Sequence, residues 1–269
     1  MPYLKTVYTI TIVICCFSSS CIQRAYYYSP LQGNSLTYHA IPIGSDSTRS
    51  ATYVSGSISV GGMNDRWTDK VYSFKAGIHR SYAIENLRLY IGAVGVVGSY
   101  NINGDYFDHN YLDSSIYRNA GNKFFGAFGL NAGLSASTRM GRRGEWRYIG
   151  VEGSFFNEFG DYYSFRKNLP DSAADIIDKK KYMGSLGIST ELIFKTRSQT
   201  KFGIKIAMGS YLRRGRYYDN YSNNYYLSGE DLLYFSNTYH FTLKKLTTYF
   251  QLNAATKAGH FQFGVNYRL

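Results

Sequence analysis

From Tyr53 onward the chain divides into segments in which every second position is apolar or aromatic and the positions between are Gly, Ser, Asn, Gln or charged. A period of two describes a β-strand with two chemically different faces. Between Phe124 and Ala136, one face holds Phe124, Phe128, Leu130, Ala132, Leu134 and Ala136, and the other Gly129, Asn131, Gly133, Ser135 and Ser137. At the C-terminus Phe261, Phe263, Val265, Tyr267 and Leu269 alternate with His260, Gln262, Gly264, Asn266 and Arg268. The pattern predicts ten strands, near 52–62, 70–82, 86–102, 123–139, 145–159, 181–197, 200–214, 232–243, 246–257 and 260–269.

Periodicity alone does not separate a soluble sandwich from a membrane barrel, because either has one apolar face. Three features favour the barrel. The polar face is mostly small residues with isolated charges such as Lys75, Glu152, Glu191, Lys205 and Arg268, which suits a crowded interior. Aromatics gather near strand ends, where interfacial girdles lie. A sheet in lipid must also close, since hydrocarbon offers no partner to an open edge. The predicted fold is therefore all-β, a closed antiparallel transmembrane β-barrel of about ten strands, with eight or twelve as the neighbouring counts. Short links fall at 83–85, 140–144, 198–199 and 244–245, and long ones at 103–122, 160–180 and 215–231. The prolines (Pro2, Pro30, Pro42 and Pro170) all lie outside the strands. Asp residues collect in the long links, while Arg142, Arg143, Lys195, Arg197, Lys201, Lys244 and Lys245 collect at the short ones. Long loops should face outward and short turns the periplasm, with the basic turns against anionic head groups.

Composition narrows the class further. The 269 residues include 27 Gly, 28 Tyr and 17 Phe, and 44% are hydrophobic, too many for a disordered chain. After the first 20 residues no apolar run approaches the length of a membrane-spanning helix. Residues 1–20 read as a cleaved signal: Lys5, an apolar stretch from Thr6 to Phe17, then Ser18, Ser19 and Ser20 ahead of Cys21. Small residues before a cysteine resemble the lipobox of bacterial lipoproteins, which would make Cys21 the acylated first residue. An ordinary cleaved signal is the alternative, and Cys15 or Cys16 could compete as the modified site. With cleavage before Cys21 a single cysteine remains, which leaves no disulfide. The domain reading is a signal peptide at 1–20, a lipidated periplasmic tether at 21–50 and a barrel at 51–269. The net charge of +12 needs no nucleic acid to account for it, since export removes cytosolic partners and no nucleic-acid-binding signature occurs.

A serine-led lipobox, the aromatic and proline-containing stretch Ala25 to Pro30, glycine-rich amphipathic strands and the closing run from Phe261 to Leu269 together resemble outer-membrane β-barrel proteins of the Bacteroidota. The resemblance spans the whole chain as pattern. It implies residence in the bacterial outer membrane, outer-membrane lipids around the barrel, and recognition of the last strand by the barrel-assembly machinery. Phe263, Val265, Tyr267 and Leu269 would form that β-signal, departing from it in the final residue, where an aromatic is commoner. No acidic export tag follows Cys21, which places the lipid in the inner leaflet.

Chemistry is sparse. Asp105, Asp108, His109 and Asp219 do not complete the paired dyads of an omptin-like protease. His240 and Thr242 share a face, but a lipid A deacylase needs a serine nucleophile turned to lipid, and here the polar face looks inward. No metal set or cofactor motif is recognisable. Lys75, His79, Glu152, Glu191, Lys205, Arg213 and Arg268 are expected to form a lumen network of crossed ion pairs, because unpaired charge in a narrow barrel is costly. Tyr217, Tyr218, Tyr221, Tyr225 and Tyr226, among asparagines, make a candidate contact surface for a partner. The functional reading is a lipid-anchored, non-enzymatic structural or accessory subunit of an outer-membrane complex for transport, secretion or barrel assembly, its protein partner unidentified. The alternatives are a small passive pore and a lipid A-modifying or omptin-like barrel enzyme.

Overall fold

The computed structural model describes residues 25–269 except 45, 47, 65–66, 104–115, 117, 142, 175, 197, 199, 213–215, 220–223 and 228–232, and omits the side chains of 216–219 and 224–227. In chain order the strands are β1 (Tyr26–Tyr27), β2 (Ser50–Met63), β3 (Asp69–Ile84), β4 (Leu87–Ile102), β5 (Gly121–Met140), β6 (Gly144–Phe159), β7 (Ile176–Ile177), β8 (Tyr182–Lys195), β9 (Lys201–Tyr211), β10 (Arg216–Asp219), β11 (Asn224–Leu227), β12 (Leu233–Leu243), β13 (Leu246–Ala255) and β14 (Ala258–Arg268). A helix, α1 (Asp161–Asn168), follows β6. Ten of these strands form one closed antiparallel barrel, β2-β3-β4-β5-β6-β8-β9-β12-β13-β14, with β14 pairing back onto β2. The barrel strands match the ten predicted segments in order and position.

Each wall strand turns one row of side chains outward. Ile58, Phe74, Ile91, Phe155, Leu186 and Phe263 are exposed, and Phe128 and Leu130 keep 69% and 62% of their surface accessible. A belt of that extent is unfavourable in water and natural against hydrocarbon. The opposite row, including Ser57, Lys75, His79, Asn131, Glu152, Glu191, Gln251 and Asn266, is buried inside. The long connections lie at one end with the turns after β2 and β13; the short turns lie at the other with Ser50 and the C-terminus.

Strict alternation fails at one place that matters. The β5–β6 pairing shifts between Ala136 and Thr138, and the β6–β8 pairing shifts between Arg147 and Gly150. Counting by twos from buried Glu152 would send Trp146 and Tyr148 inward. The bulge reverses the faces, so Trp146, Tyr148 and Ile149 are exposed while Glu145 and Arg147 are buried.

A small sheet of order β1-β7-β10-β11 and helix α1 cover the long-loop end. The helix begins after Gly160, whose φ of 106° favours glycine and where a Cβ would lie 2.9 Å from Phe124. It buries Tyr162, Phe165 and Arg166 over the barrel mouth, with Tyr162 stacked on Tyr100 at 3.8 Å between centroids. Arg166 is fully buried, ion-paired with Glu158 and donating to the carbonyl of Asp178 at 2.8 Å. Burial pushes the Tyr27 and Tyr162 hydroxyls well above the ordinary phenol range, so both remain neutral. Arg166→Ala strands the Glu158 carboxylate and should cost this cap about 3–5 kcal/mol. The expected result is faster proteolysis within 160–181 with the barrel fragment intact; unchanged cleavage would show that the helix is held by its aromatics alone.

The N-terminal segment corrects the sequence reading. Residues 25–44, expected as part of a tether in the periplasm, run through the barrel lumen: Tyr27, Leu31, Asn34, Ser35, Tyr38, His39 and Ile43 are all buried there. An eight-stranded barrel is just filled by its own side chains, whereas ten strands leave a wider bore. Here a single pass of chain, turned at residues 30–35, occupies it.

Candidate functional site

The lumen is where this molecule concentrates its polar chemistry, and its organisation follows from the path of residues 25–49. At the long-loop end, Tyr26 donates its backbone N–H to Asn64 Oδ1 at 2.8 Å, and Lys257 lies 4.6 Å above the Tyr26 ring. Gln32 Nε2 donates to the carbonyl of Thr256 at 2.7 Å, and the Gly33 N–H donates to the Tyr211 hydroxyl at 2.5 Å. Gly33 has φ 72°, and a Cβ there would meet the His260 ring at 2.9 Å, so only glycine passes this turn without displacement. Halfway down, Lys75 Nζ donates to the carbonyls of Asn34 and Leu36, the latter at 3.3 Å, and to Gln262 Oε1 at 3.0 Å. Below it Asn266 donates to the Tyr38 carbonyl at 3.2 Å, and Ser81 donates to the carbonyl of Ala40 at 2.9 Å. At the short-turn end, Asp46 is ion-paired with Lys195 and Lys201.

Toward the short-turn end four wall charges form a buried chain. Glu145 accepts from Arg88 Nη2 at 2.7 Å and from Arg147 Nε at 3.1 Å. Arg147 Nη1 reaches Glu191 at 2.6 Å, and Glu191 Oε1 lies 2.9 Å from both the Tyr38 hydroxyl and His240 Nε2. Segment backbone completes these valences: the Gly44 N–H donates to Glu145 at 2.5 Å, and Arg147 Nη2 donates to the Ile41 carbonyl at 3.1 Å. Buried charge is tolerable only when paired and fully hydrogen-bonded, and here the wall and the segment satisfy each other. Tyr38 stacks on His240 at 4.5 Å, and His39 stacks on Tyr90 at 4.3 Å. Two cavities of about 20 Å³ each remain beside His39, Tyr90, Glu152 and Lys205, room for a water apiece.

The structure places the sequence-predicted residues as follows. Lys205 and Glu152 are ion-paired in the lumen. Glu191 pairs with Arg147 and His240, neither of which belonged to the expected network. Lys75 finds no carboxylate among the described residues: its partners are two backbone carbonyls and Gln262, and His79 likewise faces the Ala40 carbonyl at 3.1 Å. Arg268 is half-buried at the short-turn rim, near Tyr53. Arg213, Tyr221, Cys21 and the loop group Asp105, Asp108 and His109 lie outside the described residues. Tyr217 and Tyr218 on β10 oppose Tyr226 and Tyr225 on β11. Phe263 and Tyr267 are exposed to the lipid side, Val265 is half-buried on the same row, and Leu269 donates its N–H to the Thr52 carbonyl at 3.0 Å.

Three charged wall residues of the network, Arg88, Glu145 and Arg147, were missed. Arg88 shares the inward row with Tyr90 and was readable from alternation. Glu145 and Arg147 were hidden by the bulge. The plug itself had a signal of another kind, since Tyr26, Tyr27, Tyr28, Leu31, Leu36, Tyr38, Ile41 and Ile43 are too apolar a set for a solvated linker.

No protein-family model matches the chain, and no curated protein matches it in sequence. Solved structures similar in fold include the transport unit of the autotransporter AIDA-I from Escherichia coli, at 12% identity over 89% of this chain and 95% of that one, with a TM-score of 0.40. An outer membrane channel from Pseudomonas putida F1 is 9% identical over 86% of this chain and 100% of that one, with a TM-score of 0.42. Neisserial surface protein A is 11% identical over 82% and 97%, with a TM-score of 0.34.

Proposed function

We propose that the protein is a non-conducting barrel of the bacterial outer membrane, a non-enzymatic structural or accessory subunit whose long-loop face meets a protein partner. The observation that carries this reading is the occupation of the lumen by residues 25–44, hydrogen-bonded to the wall at both rims and along its length. A passive pore needs a continuous water path, and the two gaps described beside the segment each have room for about one water. The apolar outer belt and the clustering of long loops at one end support an outer-membrane setting with those loops outward. Against a lipid-acting enzyme stands the burial of His240 between Glu191 and Tyr38, where neither lipid nor peptide reaches it.

The test is single-channel recording of the purified full-length protein in planar bilayers. No discrete steps are expected; stable steps from the intact chain would sink the reading in favour of a pore. His240→Ala should leave lipid A composition unchanged in the same cells, and an altered lipid A profile would restore the enzyme.

A further inference from the structure

The direction in which the segment crosses the barrel has a consequence for what precedes it. Its contacts descend in chain order: Tyr26 to Asn64 at the long-loop rim, Asn34 to Ser73 and Lys75 within, Gly44 to Glu145 and Asp46 to Lys201 at the short-turn rim. The upper end is held as structure and does not merely rest there. Strand β1 pairs in parallel with β7, and the Asp178 N–H donates to the Tyr27 carbonyl at 2.9 Å. Ala25 therefore stands at the opposite end of the barrel from Ser50 and Arg268.

Position 21 lies four residues ahead of Ala25. Four residues reach about 14 Å at full extension, against about 30 Å of hydrocarbon. Whatever path they take, they cannot return to the short-turn side. We propose that the chain is threaded from outside to inside, so that its mature N-terminus lies on the cell surface and the acyl group on Cys21 enters the outer leaflet beside the long-loop rim. This rests on the orientation given above, long loops outward, and reverses the inner-leaflet placement drawn from sequence.

The experiment places a short epitope tag at one of three points in the full chain: between Arg24 and Ala25, in the long-loop turn at Lys257, or in the short turn at Lys244. Antibody binding is compared on intact and permeabilised cells. Expected is binding on intact cells at the first two positions, at comparable levels, and only after permeabilisation at Lys244. A tag ahead of Ala25 that stays hidden while the Lys257 tag is exposed overturns the threading and leaves the orientation standing. Exposure of the Lys244 tag instead overturns the orientation, and the inference with it. Should the insertion ahead of Ala25 prevent folding, judged by heat-modifiable gel migration, the point variant Gln23→Cys probed with a membrane-impermeant maleimide gives the same comparison. Metabolic labelling with palmitate, with and without Cys21→Ser, reports the acyl group; a surface-exposed N-terminus whose label is insensitive to Cys21→Ser removes the outer-leaflet lipid from the proposal.

Discussion

Deleting residues 25–48, so that Arg24 is joined directly to Arg49, should convert a silent barrel into one with steady ohmic conductance. The wall stays closed without the segment, because β2 pairs with β3 and β14 through its own backbone along its full length. What is lost is the filling. Lys75 would exchange the Asn34 and Leu36 carbonyls for water, Arg147 would lose Ile41, and Glu145 would lose the Gly44 amide. Those groups are charged, so the emptied bore will hydrate and not collapse. Recording the deletion beside the intact protein is the check, with heat-modifiable migration as proof that the barrel has formed. A folded but silent deletion variant would mean that the wall side chains alone close the lumen. The double variant Asn34→Cys, Ser73→Cys sharpens the comparison, since the two side chains meet at 2.8 Å between segment and wall. Joined by a short bifunctional thiol reagent, it should stay silent under voltages or denaturant that loosen the intact chain.

Glu191→Ala should destabilise the folded barrel by about 3–5 kcal/mol, the usual result of removing one partner from a buried ion pair. Arg147 would keep Glu145 and the Ile41 carbonyl, the Tyr38 hydroxyl would lose its acceptor, and His240 its carboxylate. The measurement is the urea midpoint of the gel-shift transition in detergent micelles. Pairing it with Arg147→Met should recover much of the loss, because a neutral buried side chain carries no such debt of solvation. If the double variant is as weak as the sum of the singles, the charge chain contributes by shape and not by pairing. Glu191→Gln separates hydrogen bonding from charge: it can still accept from Tyr38, and should fall between the parent and Glu191→Ala.

The wall was legible in the sequence because a barrel strand in lipid meets two immiscible environments, and each residue must belong to one. Alternation around Phe128, Leu130 and Leu134, or around Phe261 and Phe263, records that choice at a period of two, and antiparallel pairing then orders the strands by adjacency. The polar interior was legible in kind for the same reason, down to Lys75, Glu152, Glu191 and Lys205. Who pairs with whom was not. Lys75 takes backbone carbonyls of the N-terminal segment in place of a carboxylate, a choice that depends on a chain about forty residues away in sequence lying alongside it. Glu145 and Arg147 entered the network through a bulge, which no alternating pattern announces, since one extra residue exchanges the two faces of everything beyond it.

Strand count, sidedness and the greasy exterior were set by local residue pattern, because the solvent on each face acts on each residue separately. The threading of residues 25–44 was decided only in three dimensions. A chain without alternation records at most that it is too apolar for a solvated linker, and its place in the lumen comes from a fit that exists only once ten strands have closed around it.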